Sequence, residues 1–187
     1  MRLSNNTTTI GIIFSVYNLE VLTMTLQILQ IFFISFLAFS PLTDLNKKFP
    51  DAQLKTLEGK EVSLSEYIGK GKPVVVSFWA TWCKPCKQEL DNIAEVYPDW
   101  QEKYGVEILA INTDNSRSLR KVPGLVKTKG WDYTILSDSK QSMMNLLGFQ
   151  AIPQTFLLDG EGNIVYAHSG YAEGDEDELE EKIAALK

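Results

Sequence analysis

The stretch Val74-Val75-Val76-Ser77-Phe78-Trp79-Ala80-Thr81-Trp82-Cys83-Lys84-Pro85-Cys86 decides how this chain is read. Its opening run, Val74 to Trp79, is rich in β-branched and aromatic residues and apolar on both faces, as expected of a strand buried in the middle of a sheet. From Lys84 onward helix formers dominate, with Leu90, Ile93, Ala94 and Tyr97 at helical spacing. Cys83 and Cys86, the only 2 cysteines in the chain, therefore fall at a strand-to-helix junction. Two intervening residues there put both sulfurs within about one helical turn, close enough to form a disulfide and to open it again.

Working outward, the helix is expected from Lys84 to Glu95, with a kink or restart at Pro98 and a stop at Gly105. Val106 to Asn112 reads as a second buried strand, followed by a helical stretch between Ser116 and Lys129 whose start Pro123-Gly124 obscures. Ser137-Asp138-Ser139 offers a cap for a helix from Gln141 to Leu147 ended by Gly148. Gln154 to Leu158 is the third strand expected, and Gly160-Glu161-Gly162-Asn163 turns it into Ile164 to His168 as a hairpin. Asp175 to Leu186 closes the chain as an acidic-fronted helix. Upstream, Phe49 to Leu57 and Glu61 to Leu64 read as a hairpin about Gly59, followed by a short cap to Ile68.

The chain has 187 residues, a formal net charge of -6 and 44% hydrophobic content. That is room for one ordinary domain and an N-terminal addition. A nucleic-acid partner is not expected, because phosphate neutralisation needs clustered Lys and Arg. Two cysteines cannot build a four-ligand structural zinc site even with His168, the 1 histidine present. No metal is expected, and His168 reads as a structural strand residue.

The first forty residues are a separate object. No residue from Val21 to Thr43 is charged, and Ile28 to Phe39 is nearly all apolar, long enough to cross a bilayer. Residues 1–23 are an N-terminal extension in this reading, 24–43 a signal sequence or membrane anchor, and 44–187 the folded domain. Ala38-Phe39-Ser40 has the small-x-small cleavage pattern, but Pro41 would follow the cut, which favours an uncleaved anchor. The expected location is extracytoplasmic, tethered to the membrane or released to the periplasm. Met24 is an alternative start.

Alternating strand and helix units joined to a terminal β-β-α imply an α/β fold with a central mixed sheet flanked by helices. From about Phe49 onward the chain resembles the thioredoxin superfamily, and specifically its membrane-tethered TlpA/ResA-type thiol-disulfide oxidoreductases. Phe78 to Cys86, the added N-terminal β-hairpin and Ile152-Pro153-Gln154-Thr155-Phe156 carry the resemblance. It implies a thioredoxin-like fold and an enzyme needing no cofactor beyond the Cys83-Cys86 pair. It also implies disulfide-bearing protein substrates, a membrane thiol-disulfide electron donor, and a role in cytochrome c maturation or envelope disulfide reduction. A monomer is expected.

Within that reading each residue has a chemical part. At a helix start the unpaired N–H groups and macrodipole favour a thiolate on Cys83, with Lys84 and Lys87 adding screened positive charge, so Cys83 is the nucleophile. Pro85 occupies the first turn at little cost and restricts the backbone between the sulfurs, leaving Cys86 as the resolving thiol. The resemblance makes Pro153 a cis-proline facing the disulfide, with Ile152 a platform for the incoming chain. Trp82 shields the pair and meets substrate, whereas Trp79 packs in the core. Many thioredoxins carry a buried Asp where this chain has Ser77. Glu89, three residues past Cys86 and about 60° round the helix, is the expected proton acceptor instead.

Two other functions fit parts of the pattern. A copper-delivering module on the same fold would use Cu(I)-thiolate chemistry, but its relatives space the cysteines by three residues and place a histidine beside the position of Pro153. A thiol peroxidase would need Thr or Ser at position 80 and Pro at position 76, where this chain has Ala80 and Val76.

Overall fold

The computed structural model describes residues 47–187. The expected N-terminal extension and the signal or anchor segment at 24–43 lie outside the described residues. No helix among the described residues is long and apolar enough to cross a membrane.

The elements are β1 (Gln53–Thr56), β2 (Glu61–Ser63), β3 (Val74–Trp79), α1 (Lys84–Tyr104), β4 (Glu107–Asn112), α2 (Val122–Lys129), β5 (Thr134–Ser137), α3 (Ser142–Leu147), β6 (Gln154–Leu158), β7 (Ile164–Ser169) and α4 (Asp175–Ala184). They form a 7-stranded sheet in the order β2-β1-β5-β4-β3-β6-β7. β3, β4 and β5 run parallel, whereas β6 and β7 on one side and β1 and β2 on the other pair antiparallel. This is the thioredoxin-like α/β arrangement, a mixed sheet flanked by helices with an added N-terminal hairpin.

β3 sits at the centre because every one of its residues is buried. Its alternation sends Val75 and Trp79 to one face, against Leu90, Ile93, Tyr97 and Trp100 of α1 and Leu179 and Ile183 of α4. Val74, Val76 and Phe78 meet the opposite face, with Phe49, Leu64, Met143 and Phe156. The Trp79 ring stands edge-on to Trp131 at 5.1 Å, so the core reading of Trp79 holds.

α1 runs unbroken through Pro98, without the expected restart. Pro98 faces solvent while Tyr97 and Trp100 beside it are buried, and their burial favours continuing the helix past the missing N–H. Gly105 ends it in the left-handed conformation at φ 67°, its N–H donating to the Gln101 carbonyl.

β5 was not expected. Thr134-Ile135-Leu136-Ser137 is short and lacks alternation, yet it pairs with β4 on one side and β1 on the other. The cap expected ahead of α3 is Asp138, whose carboxylate accepts the N–H groups of Ser142 (3.0 Å) and Met143 (2.8 Å). Between β6 and β7, Gly162 adopts φ 85°, and a Cβ there would meet the Ile68 side chain at 2.8 Å, so only glycine fits.

Replacing Leu90, which is fully buried between α1 and the sheet, by alanine should cost about 2–5 kcal/mol in urea unfolding. A loss under about 0.5 kcal/mol, the level of a surface substitution, would contradict this packing.

Candidate active site

The loop after β3 is held from β4. The Trp79 carbonyl accepts the backbone N–H of Thr113 at 2.8 Å and its hydroxyl at 3.2 Å. The buried Asp114 carboxylate then accepts the Thr81 N–H at 2.7 Å, the Thr81 hydroxyl at 3.0 Å and the Asn112 amide at 2.9 Å. The turn closes with the Cys83 N–H donating to the Ala80 carbonyl at 3.1 Å. Sequence reasoning missed Asn112 and Asp114. Their signal was a polar trio at the carboxyl end of a buried parallel strand, where α/β sheets carry their sites.

Cys83 and Cys86 form a disulfide, with Cα atoms 5.4 Å apart. Cys83 is the N-cap of α1, and its sulfur accepts the Cys86 N–H at 3.2 Å. In the dithiol state that same N–H and the helix dipole would face a Cys83 thiolate. Pro85 lies in the first turn, exposed like Lys84. Cys86 is completely buried, whereas Trp82 beside the pair is 71% exposed.

The bond between Ile152 and Pro153 is cis. It faces the pair, with the Ile152 carbonyl oxygen 3.8 Å from the Cys83 sulfur. Pro153 is buried and Ile152 half-buried. The strand-start proline and the strand-to-helix cysteines, far apart in the chain, thus line one site.

Glu89 is also at this end of α1, and it is buried. One carboxylate oxygen accepts the Ser77 hydroxyl at 2.9 Å, the other the Thr155 hydroxyl at 2.6 Å. The residue standing where many thioredoxins have an acid is therefore a donor to the acid that α1 supplies. His168, expected as a structural strand residue, brings its Nε2 to 3.5 Å from Glu89. Interaction with Glu89 holds the imidazole above its ordinary value of 6.5, against burial, which lowers it. The only signal for His168 in the sequence was its uniqueness.

A strand-to-helix Cys-x-Pro-Cys opposite a cis-proline on this sheet defines a thioredoxin-like thiol-disulfide protein. Residues 45–167 match the model of the AhpC/TSA family. The chain is 40% identical over 115 residues to the thiol-disulfide oxidoreductase ResA of Geobacillus thermodenitrificans, a match covering 62% of this chain and 63% of that protein. It is 33% identical over 143 residues to the ResA of Bacillus thuringiensis subsp. konkukian, covering 76% and 79%. Among solved structures, an uncharacterized thioredoxin-like protein of Porphyromonas gingivalis is 42% identical with a TM-score of 0.66, over 75% of this chain and 94% of that one. The chain belongs to the AhpC/TSA family and, within it, to the ResA-type thiol-disulfide oxidoreductases.

Asp114→Ala should destabilise the protein by about 1.5–3 kcal/mol, because it strips a shared charged acceptor from Thr81 and Asn112. Asp114→Asn, which keeps one acceptor oxygen, should lose less. Urea unfolding of both variants measures this, and equal, negligible losses would show that the loop is held by other means.

Proposed function

We propose that this chain is an extracytoplasmic, membrane-tethered reductase of protein disulfides. The observation that carries the reading is the Cys83-Cys86 disulfide at the N-terminus of α1, its outer sulfur against the carbonyl that precedes cis-Pro153. The uncharged segment 24–43 supports the location, and the likeness to ResA proteins supports the chemistry.

In the dithiol state the Cys83 thiolate attacks one sulfur of a substrate disulfide. A mixed disulfide forms and the other substrate sulfur leaves as a thiolate. Cys86, having given its proton to Glu89, attacks the Cys83 sulfur. The internal bond closes, the bond to substrate breaks, and the substrate departs with both electrons of the pair. A membrane thiol-disulfide donor returns two electrons and the protein is recharged. Trp82, Pro85 and Ile152 contact the incoming chain, and Pro153 forms the opposing wall. We assign the substrates to extracytoplasmic protein disulfides, including the cysteine pairs of c-type cytochromes awaiting haem attachment.

Cys86→Ser expressed in cells should accumulate mixed disulfides on Cys83, released by reductant and identifiable by mass spectrometry. No captured protein, with the variant folded and its Cys83 reactive, would sink the reductase reading. Glu89→Gln should slow closure of the internal disulfide at least tenfold at neutral pH, within the range of lost general-base catalysis. Unchanged rates from pH 5 to 9 would remove Glu89 from the mechanism.

A further inference from the structure

Ser77, Thr155 and His168 stand side by side on β3, β6 and β7, because Ser77 pairs with Thr155 and Thr155 with His168. Directly paired residues share a sheet face, here the face that α1 covers. Glu89 lies over this row, bonded to both hydroxyls and 3.5 Å from the imidazole. The Glu89 side chain is 3% exposed and that of His168 17%, but both ring nitrogens of His168 are themselves buried.

Cys86 is sealed from solvent, so its proton must leave and return through protein. Glu89 is one helical turn on, and the only acid-base side chain touching Glu89 among the described residues is His168. Neither ring nitrogen of His168 has a hydrogen bond of good geometry, which leaves the imidazole free to take up and release a proton. The crevice between α1 and α4 that borders Glu89, His168, Tyr171 and Asp175 is too narrow to hold a water, so a proton reaching the pair stays within it.

We propose that His168 is a positioning residue acting through Glu89, the second member of a buried two-group relay that receives the Cys86 proton and returns it. The inference rests on the oxidoreductase reading above. As the internal disulfide closes, the Cys86 proton goes to Glu89 and then to Nε2 of His168, and the buried pair holds it. As the donor reopens the disulfide, the path runs backward and Cys86 regains its proton. Three acids face the ring: Glu89 from α1 and Asp175 and Glu178 from α4, all favouring imidazolium, while burial opposes it. On its own strand the neighbour is the Tyr166 ring at 5.7 Å.

With 1 histidine in the chain, the full-length protein gives a single imidazole signal by NMR. Titrated in the disulfide and dithiol states, that signal should show a midpoint above 6.5 in the disulfide state and a different midpoint after reduction. Glu89→Gln should lower the midpoint and abolish the difference. In stopped-flow measurements of internal disulfide closure, His168→Gln should be about tenfold slower at pH 7, consistent with a lost proton-transfer partner. It should also lose one inflection of the wild-type pH profile. One midpoint shared by both redox states, or a His168→Gln profile of wild-type shape scaled uniformly, would overturn the relay. The NMR arm uses wild-type protein and needs no turnover. Failure of wild type to exchange any disulfide would instead defeat the oxidoreductase reading.

Discussion

Everything chemical in this protein hangs from β3, a strand paired along its whole length with β4 and over Val74–Phe78 with β6, and covered on both faces. A strand so enclosed has one permissible register and no freedom to shift, because a one-residue slip would exchange its two faces. Its end is therefore a fixed point. The disulfide, the start of α1 and the loop bearing Trp82 are built outward from it, and Thr113 and Asp114 pin the first turn before any helix dipole acts.

The same strand places a polar residue inside an apolar run. Ser77 would be a costly burial alone, as would Glu89 and Thr155. Together they satisfy one another, two hydroxyls donating to two carboxylate oxygens. The supports of this buried carboxylate belong to β3 and β6, outside the loop and helix that carry the disulfide.

Much of this was legible in the sequence, for physical reasons particular to each element. β3, α1 and the β6–β7 hairpin carry strong periodicity and clear punctuation, and the cysteine spacing needs no tertiary information. Glu89 could be read because it lies on the same helix as Cys86. β5 could not, since its four residues form a strand only because β4 and β1 pair with them on either side. Asp114, and the approach of His168 to Glu89, went unread for a related reason. Each meets its partner through the lateral pairing of strands, which no local pattern encodes, and a lone histidine in a hairpin offers nothing to distinguish a structural ring from one facing a buried acid. Pro98 shows the converse: local sequence argues for a break, and burial of its neighbours overrides it.

The added hairpin has a consequence beyond decoration. Without β1, β5 would leave its hydrogen-bonding groups open along one margin of the sheet, beside buried Ile135 and Leu136. With it, the outermost strand on that side is β2, three residues long and bearing Glu61 opposite Lys55. The far margin, β7, is interrupted by a register shift at Leu157 and Leu158 of its partner. Short, charged and irregular margins give a neighbouring chain little to template on. Such margins would keep the chain from joining, as one more strand, the disulfide-bearing polypeptides proposed as its substrates.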